Sequence, residues 1–280
     1  MKLYSIDTGF FKLDGGAMFG VVPKSIWNRL NPADENNMCN WAMRCLLVED
    51  GDRLILVDNG MGDKQDDKFF GYYYLNGDDT LVKSLAKHGF TPDDITDVFL
   101  THLHFDHCGG SVIWNKDRTG YELAFKNAKY WSHKSHWDHA IHPNVREKAS
   151  FLKENILPIQ ESGHLHFIGN DLQLTPNFKA RLVNGHTEAM MLPQLNYNGK
   201  TVVYMADLTP SAAHIPANYV MGYDIRPLNT MDERATFNKE AIENNYILLF
   251  EHDAVNEGCT LKPDERGRPK PEEFIKISEI

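Results

Sequence analysis

Three histidines and an aspartate crowd one short segment of the chain. Residues 101–108 read THLHFDHC and follow a short apolar run. Residues two apart in an extended segment point the same way, so His102 and His104 can converge on one ion. Asp106 and His107 continue around the turn and can face a second ion. Imidazole and carboxylate groups suit zinc, iron, manganese or cobalt, and the scarcity of cysteine argues against a closed structural zinc site.

Four donors cannot complete two metal sites, so further ligands are expected at the ends of other strands. Three single residues, His186, Asp207 and His252, are each the first strong metal-binding side chain after an apolar run. Each is weak evidence alone, because an aspartate at the end of a strand is usually a turn or capping residue. Together with the first segment they predict a site with seven protein ligands: His102, His104, Asp106, His107, His186, Asp207 and His252.

Short runs of β-branched and aliphatic residues predict the strands that carry these side chains. The strands are expected at residues 3–10, 42–48, 53–57, 96–100, 128–131, 178–183, 201–205 and 246–250. Helical patterns cover residues 80–88, 132–139, 144–155 and 231–244. Strands and helices alternate, but the chain opens with hairpins. The pattern therefore predicts an α/β protein with mixed sheets rather than a purely parallel one.

Other stretches have less regular patterns. Residues 14–40 and 60–79 are expected to be long loops, which usually form functional lids or are disordered. Residues 262–271 are charged and rich in proline, and we expect them to form a surface excursion. A stripe of histidines recurs every three residues, and we expect a solvated helix face with Trp137 turned inward: His133, His136, His139 and His142.

Composition restricts the classes of partner. The chain has 280 residues, 29 basic and 39 acidic side chains and a formal charge of −10, which disfavours a nucleic-acid backbone as the main partner. No run of 18 apolar residues occurs, so no membrane span is expected. Asp7 interrupts the first segment before a signal peptide could develop. The four cysteines form no C-x-x-C pair, which favours reduced thiols and a cytoplasmic location.

The chain resembles the metallo-β-lactamase superfamily along essentially its whole length. The resemblance is carried by Leu56-Val57-Asp58-Asn59-Gly60, the motif at 102–107, Gly185-His186-Thr187, Asp207 and His252. It implies a single domain over residues 1–280, with an αββα four-layer sandwich and a dinuclear metal site at one edge.

The resemblance also implies a role for each ligand. His102, His104 and His186 would hold one ion, the other ion would be held by Asp106, His107 and His252, and Asp207 would bridge both. Asp58 would orient a ligand without binding metal. Two divalent ions per chain are expected, with zinc first and iron, manganese and cobalt as alternatives.

Within the superfamily, the ligand set is similar to that of several hydrolase branches. These are the N-acyl homoserine lactonases, the methyl parathion hydrolase-like enzymes, the glyoxalase II thioesterases and the tRNA-processing nucleases. Residues 14–27 look like the N-terminal loop of the first two branches, and Phe105 matches the lactonase form. The expected function is a quorum-quenching lactonase acting on a small ester or lactone, and similar enzymes are often homodimers.

Two departures limit the match with the lactonases. These enzymes carry a tyrosine three residues after the bridging aspartate, where this chain has Pro210. The stretch Thr187-Glu188-Ala189-Met190 replaces a segment that contains Pro and Gly in many relatives. His214 or Tyr223 could substitute for the missing tyrosine.

The expected mechanism is hydrolysis without a covalent enzyme intermediate. A hydroxide that bridges two ions about 3.5–4 Å apart would attack the carbonyl, and Asp106, the expected catalytic residue, would pass a proton to the leaving oxygen. No G-x-S-x-G motif occurs, which excludes the usual serine hydrolase elbow. The substrate pocket is expected to be lined by residues that are apolar or aromatic: Met18, Phe19, Trp27 and Phe105.

Three other functions remain open from the sequence. An organophosphate triester hydrolase could use the same ligands. A glyoxalase II would need a basic cluster near the C-terminus, for which the candidates are Lys262, Arg266, Arg268 and Lys270. A metal-dependent binding protein would hold metal without turnover.

Overall fold

Fifteen strands build two facing sheets and one small hairpin in the computed structural model, which describes residues 1–280. The first eight strands are β1 (Lys2–Asp14), β2 (Met38–Asp50), β3 (Arg53–Val57), β4 (Asp97–Phe99), β5 (Val112–Trp114), β6 (Tyr121–Leu123), β7 (Lys129–Ser132) and β8 (Leu165–Phe167). The other seven are β9 (Gln173–Thr175), β10 (Phe178–Val183), β11 (Met190–Tyr197), β12 (Lys200–Tyr204), β13 (Ile247–Leu249), β14 (Gly258–Pro263) and β15 (Pro269–Ile275).

The first sheet has the order β1-β2-β3-β4-β7-β8, and the second has the order β15-β14-β13-β12-β11-β10-β9. In the first sheet, β3, β4, β7 and β8 run parallel, whereas the β1–β2 and β2–β3 pairs are antiparallel. In the second sheet, β12 and β13 run parallel and the other pairs are antiparallel. The expectation of mixed sheets is confirmed. The turn after Asp50 is two residues long, and Gly51 takes a φ of +64° there, which glycine adopts without strain.

Eight α-helices accompany the sheets: α1 (Gly15–Phe19), α2 (Lys24–Trp27), α3 (Asp67–Tyr73), α4 (Leu81–Lys87), α5 (Phe105–Cys108), α6 (Lys134–Ile141), α7 (Lys153–Glu161) and α8 (Pro227–Glu243). None of them is both long and apolar enough to cross a membrane.

Alternation along β2 explains how the layers arise. Leu46 and Val48 enter the core between the two sheets, whereas Cys45 and Leu47 enter a second core, because successive side chains in a strand point to opposite faces. The second core contains residues of α4, α6 and α7, and α8 packs against β14 and β15 of the second sheet. The order of layers is therefore αββα, as the resemblance implied.

The predicted strands and three of the four predicted helices are confirmed, with small shifts at their ends. The helix predicted at residues 144–155 is wrong over most of its length, since α7 begins only at Lys153. The Asn144 side chain accepts hydrogen bonds from the backbone N–H groups of Arg146 and Glu147. Such local bonds offer the backbone an alternative to the helix.

The stretches predicted as loops contain more structure than expected. The region 14–40 includes α1 and α2, and the region 60–79 includes α3. Residues 262–271 lie at the surface, as expected, but they are ordered as the end of the β14–β15 hairpin, with Pro263 paired to Pro269. Proline is tolerated there because β15 is an edge strand of the second sheet.

Candidate metal centre

The candidate ligands follow four strands that end at one edge of the sandwich. The motif at 102–107 comes after β4 of the first sheet, and its second half forms α5. In the second sheet, His186 follows β10, Asp207 follows β12 and His252 follows β13. The structure brings all seven side chains together, in one group of four and one of three.

The group of four consists of His102, His104, His186 and Asp207, and His104 takes part through its Nδ1 atom. This atom lies 3.1 Å from Nε2 of His102 and 3.2 Å from Nε2 of His186. Oδ2 of Asp207 lies 3.0 Å from Nε2 of His186. Donor atoms bound tetrahedrally to one zinc ion at 2.0–2.1 Å are about 3.3 Å apart. The spacing and the chemistry of these donors fit a divalent ion.

The group of three lies beside it. Nε2 of His107 is 3.2 Å from Nε2 of His252, and Oδ2 of Asp106 is 3.8 Å from each. Asp207 reaches this group as well, because its Oδ1 lies 3.2 Å from Nε2 of His252. That oxygen is buried and has no hydrogen-bond partner. The carboxylate of Asp207 is therefore shared between the two groups, as a bridging ligand requires.

Hydrogen bonds to the second ring nitrogen orient the histidines. Nδ1 of His252 lies 2.8 Å from the backbone oxygen of Ala42, which can only accept, so Nδ1 carries a proton and Nε2 is the nitrogen that faces the other ligands. Nδ1 of His186 donates in the same way to Asp224 at 2.9 Å. Such partners fix the tautomer and the ring orientation of a metal ligand.

Asp58 holds the motif at 102–107 in place through hydrogen bonds. Its carboxylate accepts hydrogen bonds from the backbone N–H of Thr101 at 2.8 Å and from the Thr101 hydroxyl at 2.7 Å. The hydroxyl oxygen in turn lies 3.0 Å from Nδ1 of His102. Asp58 also lies 3.2 Å from Nδ1 of His107 and adopts a left-handed φ of +54°. Backbone strain of this kind persists where the surroundings impose it, often at functional sites.

Several residues around the ligands were missed by the sequence reasoning. Glu251 is fully buried, with Oε2 2.9 Å from Nδ1 of His107, and burial together with nearby Asp58 raises the pKa of Glu251 to about 7. Its place directly before His252 was the only available signal. Asp224 had none, because it lies 38 residues from the ligand that it contacts.

The expectation of a solvated histidine stripe is wrong for His136, whereas His142 is exposed as expected. His136 is fully buried, and its Nε2 accepts a hydrogen bond of 2.8 Å from the backbone N–H of Leu103, between two candidate ligands. Burial lowers the pKa of His136 to about 3, so the ring is neutral and able to accept. His139 is half-buried and pairs with Glu147 at 2.6 Å. Trp137 is turned inward, as expected.

A cavity of about 340 Å³ opens above the ligands. Its apolar and aromatic wall consists of Leu13, Met18, Tyr73, Phe105, Met221 and Tyr223. Met18, Phe105 and Tyr223 were predicted from the sequence. Asp106, Asp207 and His252 form part of the floor, so a bound molecule would touch both ligand groups.

Three other residues predicted for the pocket lie behind its wall. Phe19, Trp27 and His214 are fully buried and do not line the cavity. Phe19 stacks between Trp27 and His214, with ring centroids 5.4 and 4.6 Å apart. Nε2 of His214 donates to the backbone oxygen of Met18 at 2.9 Å. These residues support Met18 but are not accessible to a ligand in the cavity.

The chain is similar to known proteins in both sequence and fold. The chain is 28% identical over 284 residues to N-acyl homoserine lactonase AiiA of Bacillus thuringiensis subsp. kurstaki, covering 94% of this chain and 98% of that protein. A probable metal-dependent hydrolase from Staphylococcus aureus superposes with a TM-score of 0.87 at 27% identity, with 98% of each chain covered. AidC, a dizinc quorum-quenching lactonase, shares the fold with a TM-score of 0.78 at 23% identity, covering 98% of this chain and 95% of AidC.

The family model of the metallo-beta-lactamase superfamily matches residues 44–252. This range runs from β2 to the last candidate ligand, His252, and contains all seven. The protein is therefore a member of the metallo-beta-lactamase superfamily, similar to hydrolases of that superfamily.

Proposed function

We propose that the protein is a lactone hydrolase, of the N-acyl homoserine lactonase type, that works with two divalent ions. The observation that carries this proposal is the position of Asp207, whose two oxygens face both ligand groups at the floor of one cavity. The similarity to a lactonase along 94% of the chain supports the choice of substrate. Zinc is the metal that we expect, and iron, manganese and cobalt suit the same donors.

Two bound ions would supply the Lewis acidity that activates water and polarises a carbonyl group. The chain itself supplies orientation and proton transfer. Asp106 is the more exposed of the two candidate carboxylate ligands, and it lines the cavity. We assign to it a proton relay, in which it would take the proton that the attacking water gives up and pass it to the leaving oxygen when the ester bond breaks.

The wall of the cavity suggests how a lactone is held. Met18, Phe105 and Met221 offer apolar surface to an acyl chain. Pro210 stands where the lactonases carry a tyrosine, and it has no side-chain donor. Another group must therefore supply the hydrogen bond in this chain. Tyr223 lines the cavity, and the phenol of a tyrosine is protonated at neutral pH and therefore able to donate. We assign to Tyr223 a hydrogen bond to a substrate oxygen.

The glyoxalase II alternative is disfavoured by the partners of the basic residues near the C-terminus. Lys262 pairs with Glu272 and Arg268 pairs with Asp264. Lys270 lines a different cavity from the one above the ligands. These three cations therefore do not offer a free anchor for an anionic thiol substrate beside the candidate metal centre.

The test is hydrolysis by metal-counted protein of homoserine lactones with two acyl lengths, a δ-lactone, S-lactoylglutathione, an aryl ester and a phosphotriester. We expect about two metal ions per chain and a lactone kcat/KM of about 10⁴ M⁻¹s⁻¹ or more. Asp207→Ala and His186→Ala should lower the metal content and abolish turnover. His88→Ala, at an exposed histidine beyond α4, is the matched control and should change neither.

Each other result would identify a different function. Two ions with turnover of the phosphotriester alone would make the protein a triester hydrolase. Two ions without turnover of any ester would make it a metal-dependent binding protein. Full activity of Asp207→Ala would contradict the dinuclear assignment.

A further inference from the structure

Each candidate histidine ligand has an outer nitrogen, the ring nitrogen that faces away from the candidate metal position. In His104 alone this nitrogen lacks a hydrogen-bond partner. His104 faces the group of four with Nδ1, so its Nε2 points away from the candidate metal position. This Nε2 is buried and has no hydrogen-bond partner. A buried N–H group without an acceptor costs about 1–3 kcal/mol. The other four histidines each have an oxygen within 3.2 Å of their outer nitrogen.

The carboxylate of Glu147 is an acceptor close to this nitrogen. Its Oε1 lies 3.5 Å from Nε2 of His104, just beyond the length of a hydrogen bond. Glu147 is itself buried, with 3% of its side chain exposed, and it lines the cavity.

Three further donors hold this carboxylate in place. The Thr187 hydroxyl, Nε2 of His139 and Nδ2 of Asn144 each lie 2.6 Å from an oxygen of Glu147. Such short distances are typical of bonds to an ionised acceptor. Because Thr187 directly follows His186, Glu147 is connected to two ligands of the same group of four.

The segment that carries Glu147 also forms the wall of the cavity. Arg146, Ala149 and Ser150 line the cavity with it. The backbone oxygen of Ser150 accepts a hydrogen bond of 3.0 Å from the N–H of Phe105, the residue after His104. One segment therefore contacts the motif at two neighbouring positions, once through a side chain and once through the backbone.

We propose that Glu147 is a positioning residue for the first metal site, in which its carboxylate accepts the Nε2 proton of His104 and so fixes the ring for metal binding through Nδ1. This inference rests on the proposed function, because it requires an ion between His102, His104 and His186. It goes beyond the ligand set, because it states that Glu147, a residue of the cavity wall, controls how tightly one of the two ions binds. Removal of such an outer partner typically lowers metal affinity by about 10–100-fold.

The experiment compares metal binding by the full-length parent and the Glu147→Gln variant. Metal-free proteins are titrated with zinc against a chromophoric chelator and with cobalt, whose visible absorption reports ligand geometry. The glutamine keeps the size of the side chain but places an amide in a site surrounded by donors. We expect one of the two zinc ions to bind about 10–100-fold more weakly and the other to be unchanged. The cobalt spectrum should change at the weakened site.

Two matched variants separate positioning from a general structural role. The carboxylate of Glu188, the residue after Thr187, pairs with Arg226 away from the ligands. Glu188→Gln removes this carboxylate, and the affinities for both metal ions should stay at parental values. Thr187→Val removes one anchor of Glu147 but leaves the carboxylate next to His104, so it should weaken metal binding less than Glu147→Gln. Equal loss in both would overturn the proposal in favour of a structural role.

Activity provides a second readout. Because the effect acts through the ion, saturating zinc should restore lactone turnover by Glu147→Gln toward that of the parent. Turnover that stays low with both sites filled would overturn the proposal and indicate a direct contact between Glu147 and the substrate. Parental affinity for both ions in the variant would also overturn it.

Two results concern folding and the proposed function. If circular dichroism shows that Glu147→Gln does not fold, Glu147→Asp replaces it. The shorter side chain keeps the charge but moves it away from His104, so we expect an intermediate loss of metal affinity. An unchanged affinity in Glu147→Asp would overturn the proposal. A parent that binds fewer than two ions contradicts the dinuclear function itself, and that failure is visible before any variant is measured.

Discussion

Asp224 joins a candidate metal ligand to the wall of the cavity. Its Oδ1 lies 2.9 Å from Nδ1 of His186, and its Oδ2 accepts a hydrogen bond of 3.0 Å from the backbone N–H of Met221. Asp224 and His186 are both buried. The carboxylate therefore fixes the ring of the ligand and the position of a residue that a substrate would touch.

The first prediction follows from this contact. Asp224→Asn should lower the affinity for one metal ion by about 10–100-fold, because an amide can present its N–H₂ group to the ring or accept only weakly from it. Zinc titration against a chelator measures the change. Asp232→Asn, at an exposed position on α8, is the control and should bind metal like the parent. Unchanged zinc affinity in Asp224→Asn would show that the ring of His186 is held without this bond.

The second prediction concerns Tyr223. If its phenol donates to a substrate oxygen in the transition state, Tyr223→Phe should lower kcat by about 10–100-fold while the metal content stays the same. Tyr73, the other tyrosine of the cavity wall, packs against Phe105 with ring centroids 4.8 Å apart. Tyr73→Phe keeps this packing, so it should affect kcat much less. The reverse order of the two effects would transfer the role to Tyr73.

The third prediction is a loss of stability in acid that depends on Asp97. Burial alone would raise the pKa of this carboxyl, but hydrogen bonds from Arg53, Thr96 and Trp131 outweigh it and lower the pKa below its usual 3.8. The folded state therefore binds the proton less readily than the unfolded state. Stability from this group is present above about pH 4 and is lost as the pH falls through the lowered value.

Urea denaturation of the metal-free proteins at pH 6 and pH 3 tests this. Asp97→Asn should be less stable than the parent by about 1–3 kcal/mol at pH 6, and the gap should narrow at pH 3. Asp52→Asn, on the exposed turn between β2 and β3, should change stability by less than about 0.5 kcal/mol. A gap of the same size at both values of pH would rule out ionisation of Asp97 as its source.

The sequence indicated the ligands because each one follows a strand that is itself recognisable. His186, Asp207 and His252 stand at the ends of apolar runs, and the ends of neighbouring strands meet at one edge of the sandwich. The sequence did not indicate Glu147 or Asp224, because their contacts with ligands depend on how loops pack. It also placed His214 in the cavity, although the ring turns inward to stack on Phe19. Which side of a loop faces a cavity is decided by packing rather than by residue type.

The final prediction concerns Arg234, a fully buried residue of α8 that secures the segment after Asp207. Its guanidinium donates to the backbone oxygens of Leu208 and Tyr219 at 2.8 Å, and more weakly to that of Pro216 at 3.3 Å. Arg234→Met would leave these oxygens without a donor, so we expect a loss of about 2–4 kcal/mol in the free energy of unfolding.

The same substitution on the exposed side of α8 provides the control. Lys239 is 78% exposed and forms only a long ion pair with Glu243, so Lys239→Met should cost less than about 0.5 kcal/mol. Both variants are compared with the parent by urea denaturation without metal. Equal stability of Arg234→Met and the parent would mean that the removal of a buried charge without a carboxylate partner offsets the lost hydrogen bonds. In that case the segment from Leu208 to Tyr219 would be held by its apolar contacts instead.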